Sequence, residues 1–253
     1  MFGEGVRPVE NAAYIGLSRQ MTLRRELDVV ANNIANADTT GFKVEQLLVS
    51  AELGQRARNE AVRPSASFVL DNGVGRDFTQ GAVQQTGRTL DFAIEGEGAF
   101  FTVADGAGEA YTRDGAFTTD AEGRLMTKNG LPVQGDGGDI VVNPELGQIS
   151  VGPDGTMTQD GEIVGRLSLV RFDTLGALSK DGDGLYRNRS NAQTIEATGA
   201  KIRQGALEGS NVNPLIEITN LVEIQRAYES VSRMIDNTND LSRRAVERLG
   251  RVS

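Results

Sequence analysis

The stretch LDVVANNIANADTTGFK, residues 27–43, begins as a helix and then stops reading as one. Leu27, Val30 and Ile34 fall three and four positions apart, the spacing of one helix face. Asn32, Asn33, Asn36 and Asp38 then crowd in, and Thr39-Thr40-Gly41 breaks the run. Gly41 suits a helix stop, since glycine adopts the left-handed conformation that ends many helices. The amides pose the question. An Asn or Thr face is polar without charge, so it is buried at modest cost once it is hydrogen-bonded. Asn32, Asn33 and Asn36 are therefore candidates for polar contacts between packed helices, beyond simple capping by Asn36, Asp38 and Thr39.

Working outward, no proline interrupts residues 10–36, and Leu23 continues the stripe through Leu27, Val30 and Ile34 to Ala37. Leu17 and Met21 extend it one position out of phase. The far end of the chain mirrors this pattern. Pro214 follows the polar run Ser210-Asn211-Val212-Asn213 and reads as the first residue of a helix. Ile224, Tyr228, Val231, Ile235, Thr238, Ala245 and Leu249 lie on one four-three stripe, interrupted by Ser242, with no Gly or Pro before Gly250. Glu217 and Glu223 lie early and Arg243, Arg244, Arg248 and Arg251 late, an order that complements the helix dipole. Both stripes are narrow, like a coiled-coil seam. They suit a hairpin within one chain, packing between chains, or both.

Between these ends the chain changes character. Phe92-Ala93-Ile94 and Phe100-Phe101-Thr102-Val103 are short strand-like runs, and Gly165–Phe172 (GRLSLVRF) alternates, with Leu167, Leu169 and Arg171 on one face. Gly96-Glu97-Gly98, Asn129-Gly130 and Asp154-Gly155 are turn sequences. Turns at roughly ten-residue intervals predict an antiparallel all-β module. The fold class expected is α+β: paired long N- and C-terminal helices, coiled-coil-like, around a central, mainly antiparallel β module. The expected boundaries are a discontinuous helical assembly domain at 1–45 and 205–253, an extended connection at 46–85, and the β domain at 86–204.

Composition narrows the function. The 253 residues include no Cys, no His and no Trp. Thiol chemistry, a histidine base, a Ser-His-Asp triad and a histidine-bound metal are thereby excluded. Zinc loses its usual ligands. Asp181-Gly182-Asp183-Gly184 resembles the opening of a calcium loop, but the sixth and twelfth positions of that loop fall on Tyr186 and Ala192. A tight polar turn is expected there. No catalytic, cofactor-binding or metal-binding residues are expected, and the chain is read as a non-enzyme. The formal net charge is -9, which disfavours nucleic acid and anionic membranes. Nearly all of it lies between the helical ends: residues 10–45 and 214–253 are close to neutral. Neutral ends can pack against copies of themselves, while an acidic module suits water. No apolar run is long enough to span a membrane, and the start MFGEGVRPVENAAYIGLSRQ lacks the marks of a cleaved signal peptide.

Four blocks of the sequence resemble flagellar rod and hook proteins. ANNIANADTTGFK (31–43) is similar to their N-terminal signature, and GALEGSNVNPLIEITNLVEIQRAYES (205–230) to their C-terminal one. TLDFAIEGEGAFFTV (89–103) and YTRDGAFTTDAEGRL (111–125) match the family pattern between them. YIGLSRQMTLRRELDVVANN (14–33) most resembles the proximal rod members of the family. SVSRMIDNTNDLSRRAVERLGR (230–251) is more Arg-rich than that pattern, and the leader MFGEGVRP is longer.

The resemblance implies a structural axial subunit of the bacterial flagellar basal body, self-assembling through its terminal helices into the drive shaft that carries torque from motor to hook. It implies export through the flagellar type III apparatus without a cleaved signal, and a place in the rod within the periplasmic space. The partners implied are other rod proteins, copies of itself, the export apparatus and surrounding ring proteins, with no nucleic acid, no membrane insertion and no cofactor. On this reading the assembly interface comprises Leu23, Leu27, Val30, Asn32, Asn33, Ile34 and Asn36, with Ile224, Gln225, Tyr228, Val231 and Ile235. The alternatives are a distal rod protein of the same family or, from a different class, an extracytoplasmic β-domain binding module.

Overall fold

A computed structural model describes residues 7–53, 67–106, 108–143 and 145–250. The chain is α+β and divides into two compact units. The first comprises Met1–Ile34, Glu45–Gly75 and Asn213–Ser253; the second comprises Ala35–Val44 and Arg76–Val212.

The first unit carries helix α1 (Arg7–Ala35), strands β1 (Glu45–Leu53) and β2 (Ser67–Arg76), and helix α2 (Pro214–Gly250). The two strands pair with each other, so the stretch expected only as an extended connection contains a ribbon. Helix α2 starts as its sequence predicts. The Asn213 side-chain oxygen accepts hydrogen bonds from the backbone N–H groups of Leu215 (3.1 Å) and Ile216 (3.4 Å), and Pro214 follows it as the first helical residue. This satisfies donors that have no partner inside a helix.

Burial along both helices follows the stripes. On α1, Leu23 and Val30 are buried, while Leu27 and Ile34 are half-buried. On α2, Ile224, Tyr228, Val231, Ile235 and Thr238 are all half-buried. Leu17 and Met21 face outward, together with Tyr14. One position out of phase is about 100° around a helix at 3.6 residues per turn, enough to leave the buried face. The side chains of Ser242, Ala245, Arg248 and Leu249 lie outside the described residues, as does Arg251. The two helices touch at specific points. The Gln20 side-chain amide donates to Ser232 Oγ at 3.0 Å, and a Cβ placed on Gly16 would come within 2.9 Å of Ile235 Cγ1.

Within the second unit, a six-stranded antiparallel sheet runs in the order Leu178–Lys180, Leu185–Asn188, Gly108–Thr112, Ala99–Asp105, Leu169–Phe172, Thr194–Glu196. Alternation along Ala99–Asp105 separates two cores, because successive strand side chains point to opposite faces. Phe101 and Val103 join Phe92, Phe117, Leu125 and Met157 in the larger one. Phe100 joins Phe78, Tyr111, Phe172 and Tyr186 in a smaller aromatic cluster. Its rings meet edge to face, at 4.8 Å between Tyr111 and Phe172 and 5.6 Å between Phe78 and Phe100. Such pairs add to simple burial. The GRLSLVRF segment is divided between two sheets: Glu162–Arg166 ends a three-stranded sheet and Leu169–Phe172 enters the six-stranded one. Leu167 and Leu169 do face one core, but Arg171 is exposed and Phe172 belongs to the other cluster.

Gly41 is not a helix cap. The helix ends at Ala35, well before it. Gly41 has φ +69°, and a Cβ there would lie 2.6 Å from the Arg113 carbonyl carbon. Glycine is required by backbone conformation and by close approach together.

Candidate functional site

The two signature motifs meet in each unit through buried polar side chains. In the first unit the centre is Asn33, which is 1% exposed. Its side-chain amide donates to the Glu45 carbonyl at 2.8 Å and to Glu217 Oε2 at 2.9 Å. Its Oδ1 accepts the Glu45 backbone N–H at 2.9 Å. The side chain therefore pairs with the Glu45 backbone as a neighbouring strand would, and uses its remaining donor capacity on α2. Glu217 is buried in the first turn of α2, where a carboxylate complements the helix dipole. One amide thus joins the last turn of α1, the first residue of β1 and the start of α2.

The second unit holds a charged counterpart. Lys43 Nζ lies 2.6 Å from Glu208 Oε1 and donates to the Thr79 carbonyl at 2.6 Å. Glu208 Oε1 also accepts the Gly81 N–H at 3.0 Å. The other carboxylate oxygen lies 2.6 Å from Arg113 Nη2. That contact is ionic, without the alignment of a good hydrogen bond. Arg113 Nη1 donates to the carbonyls of Gly96 (3.0 Å) and Ala99 (2.6 Å). All three charged side chains are essentially sealed from water. Burial pulls the Lys43 ammonium and the Arg113 guanidinium below their ordinary values, and the Glu208 carboxylate between them pulls each back up. The backbone adds to the junction, with the Gly41 N–H bonded to the Glu208 carbonyl at 2.8 Å. Asn211 completes it: its Oδ1 accepts the Val44 N–H at 2.8 Å, and its amide donates to the Asp77 carbonyl at 2.9 Å and to Thr79.

The residues expected at an assembly interface are distributed differently. Leu23, Val30 and Asn33 are buried. Leu27, Ile34, Asn36, Ile224, Tyr228, Val231 and Ile235 are half-buried, and Asn32 and Gln225 are exposed. Asn36 serves the turn after α1, where its carbonyl accepts the Thr39 N–H and its Oδ1 accepts the Thr39 hydroxyl, both at 3.1 Å. Lys43, Arg113 and Glu208 are absent from the sequence-derived set. Their one signal is that Lys43 and Glu208 each close or open a signature block, at Thr39-Thr40-Gly41-Phe42-Lys43 and Gly205-Ala206-Leu207-Glu208.

Comparison with known proteins follows this geometry. Residues 14–43, ending on Lys43, match the family described as flagella basal body rod protein. Residues 93–159 match the D1 domain of the flagellar hook protein FlgE/F/G family. Residues 203–248, which include Glu208 and Glu217, match the C-terminal region of the flagellar basal body rod FlgEFG proteins. The flagellar basal-body rod protein FlgF of Caulobacter vibrioides is 56% identical, across 97% of this chain and all of that protein. FlgF of Mesorhizobium japonicum is 33% identical over the same shares of the two chains. The rod protein FlgG of Bacillus subtilis is 34% identical across 90% of this chain and 95% of its own. The buried Asn33 junction and the Lys43–Glu208–Arg113 cluster thus tie together the very blocks by which the family is defined, and the chain belongs to the flagellar basal-body rod proteins, on the FlgF side of that family.

Proposed function

We propose that the chain is a proximal-rod subunit that assembles through the outward faces of its terminal helices into a torque-bearing shaft. The structural rod role follows from the family. The observation that supports the finer reading is the division of labour on the two helices. Three contacts between α1 and α2 fall in a regular order: Gly16 with Ile235, Gln20 with Ser232 and Asn33 with Glu217. As one number rises the other falls, so the reading is an antiparallel, coiled-coil-like hairpin within the chain. That hairpin uses the Leu23–Leu27–Val30–Ile34 and Ile224–Tyr228–Val231–Ile235 stripes. What remains outside is a second apolar set: Tyr14, Leu17 and Met21 on α1, and Leu215, Ile216, Ile218, Val222, Met234 and Leu241 on α2. Met21 is 66% exposed and Leu215 74% exposed. By the same antiparallel order the α1 set lies toward the Ile235 end of α2 and Leu215–Val222 toward the Asn33 end of α1, so the hairpin carries an exposed apolar patch near each end, and such patches mark protein–protein contacts.

On this reading the first set of residues builds the unit and the second set joins neighbouring rod subunits, whether copies of this chain or other rod proteins. The chain passes through the flagellar export apparatus unfolded and reaches the periplasmic space, where ring proteins surround the rod. The test is quantitative mass spectrometry of purified hook–basal-body complexes from the source cell. A low, fixed copy number in the rod fraction is expected. Absence from those complexes, with the protein free in the periplasm or medium, overturns the reading.

A further inference from the structure

We propose that Glu208 is a positioning residue that locks together the chain segment following α1 (36–44) and the segment preceding α2 (205–212), and that this lock closes only once the chain extends through Glu208. The first support is convergence. Glu208 sits on the strand Ala206–Glu208, which pairs with Val83–Gln85. From there its carbonyl holds the Gly41 N–H, one carboxylate oxygen holds Lys43 and the Gly81 N–H, and the other faces Arg113. A single residue therefore fastens the 36–44 segment twice, by backbone and by side chain. Arg113 supplies the fixed point, since the Gly96 and Ala99 carbonyls hold its other nitrogen. Asn211 adds the neighbouring stitch to Val44.

Charge arithmetic gives the second support. The cluster holds two cations and one anion, all buried. Without the carboxylate, Lys43 and Arg113 face each other in a dry site with no anion between them. Glu208 is thus the one member whose loss drives the segments apart, where loss of Lys43 leaves a neutral pair. The third support is sequence separation. Lys43 and Glu208 lie 165 positions apart, so a chain that ends before 208 has no group that can close the lock. The larger apolar core is built from other residues and contains none of the three. The lock therefore opens without dissolving that core.

The experiment is hydrogen exchange, read by mass spectrometry and NMR, on the full-length chain and its Glu208→Gln and Lys43→Met variants. Glu208→Gln keeps the shape and places an amide donor against a cation. The expected result is a loss of protection of ten-fold or more at the Gly41, Val44 and Gly81 amides, with the Phe101 and Val103 amides unchanged. Lys43→Met is expected to loosen Gly41 and Val44 less than Glu208→Gln does, and to leave Gly81 on Glu208. Protection at Gly41 and Val44 that survives Glu208→Gln overturns the proposal. Equal loss at Phe101 and Val103 also overturns it, because Glu208 is then a general core residue. This readout does not depend on the rod assignment. The functional consequence does rest on that reading: Glu208→Gln is expected to be exported and yet missing from rods that contain the wild-type chain. Wild-type protein missing from rods counts against the rod reading instead.

Discussion

Lys43 and Glu208 are separated by 165 residues of sequence and by 2.6 Å in space, and neither side chain is exposed to water. Each belongs to one of the two terminal segments that match the rod-protein family. The motifs therefore do more than supply helices. They close upon each other, and what holds them is a small set of polar groups whose removal is costly because they are dry.

The Lys43–Glu208–Arg113 cluster predicts an asymmetry in stability. Removing the shared partner of a buried ionic cluster costs about 3–5 kcal/mol, because it leaves uncompensated charge. Glu208→Gln leaves two cations, so it is expected to fall in that range. Lys43→Met leaves the Glu208–Arg113 pair intact, so its cost is expected to be smaller. Urea unfolding of the two variants beside the wild type measures the order directly. Equal losses would show that the carboxylate is not shared in the way described.

Asn33 and Gln225 make a second contrast, both being amides in the expected assembly-interface set. Asn33 is buried and bonded to Glu45 and Glu217, whereas Gln225 is exposed. Asn33→Ala removes the three buried hydrogen bonds to the Glu45 backbone and to Glu217, and each such bond contributes about 0.5–1.5 kcal/mol, more where the acceptor is charged. Gln225→Ala is expected to stay within about 0.5 kcal/mol of wild type, as exposed substitutions do. The check is the shift in urea midpoint for each.

Asp181 predicts a pH dependence. Its carboxylate accepts hydrogen bonds from Arg187 and, at 3.2 Å, from Arg189 Nη2. The Arg187 hydrogen bond holds Asp181 below the usual aspartate value. The folded state therefore favours the ionised form. The resulting stability is complete above the unfolded value of about 3.9 and is lost as pH falls through the lower folded value. Asp181→Asn is expected to lower stability at neutral pH and to flatten the decline in acid. Urea midpoints measured from about pH 6 to about pH 3 test this. An unchanged acid limb in the variant would contradict it. The same contacts explain the Asp181–Gly184 run: Gly182, Asp183 and Gly184 all take positive φ, and Asp181 turns to two arginines.

How far the sequence could be read depended on the range of the interaction. The helices are written in the local spacing of Leu23, Leu27, Val30 and Ile34 and of Ile224, Tyr228, Val231 and Ile235, and Asn213-Pro214 marks the start of α2. Strand alternation and turn glycines disclosed an antiparallel β module in the same way. Phase was harder. Leu17 and Met21 look like stripe residues until one position of offset carries them to the outer face. Gly41 looks like a cap until the approach of Arg113 explains it. Lys43, Arg113 and Glu208 were illegible because lysine, arginine and glutamate ordinarily face water, and nothing local tells of a partner far along the chain. Asn33 reads in the sequence as an amide that burial suits. Its pairing with the Glu45 backbone depends on a strand that begins beyond the helix.

In the proposed rod, assembly uses the outward helix faces, while the four-three stripes build the unit. Met21→Asp and Ile218→Asp place a charge on residues that are exposed in the single chain. The most direct measurement is the amount of each variant in purified hook–basal-body complexes, taken with its circular dichroism and urea midpoint in the purified state. Both variants are expected to fold as stably as wild type and to be absent from the rod. Incorporation at the wild-type copy number would contradict this.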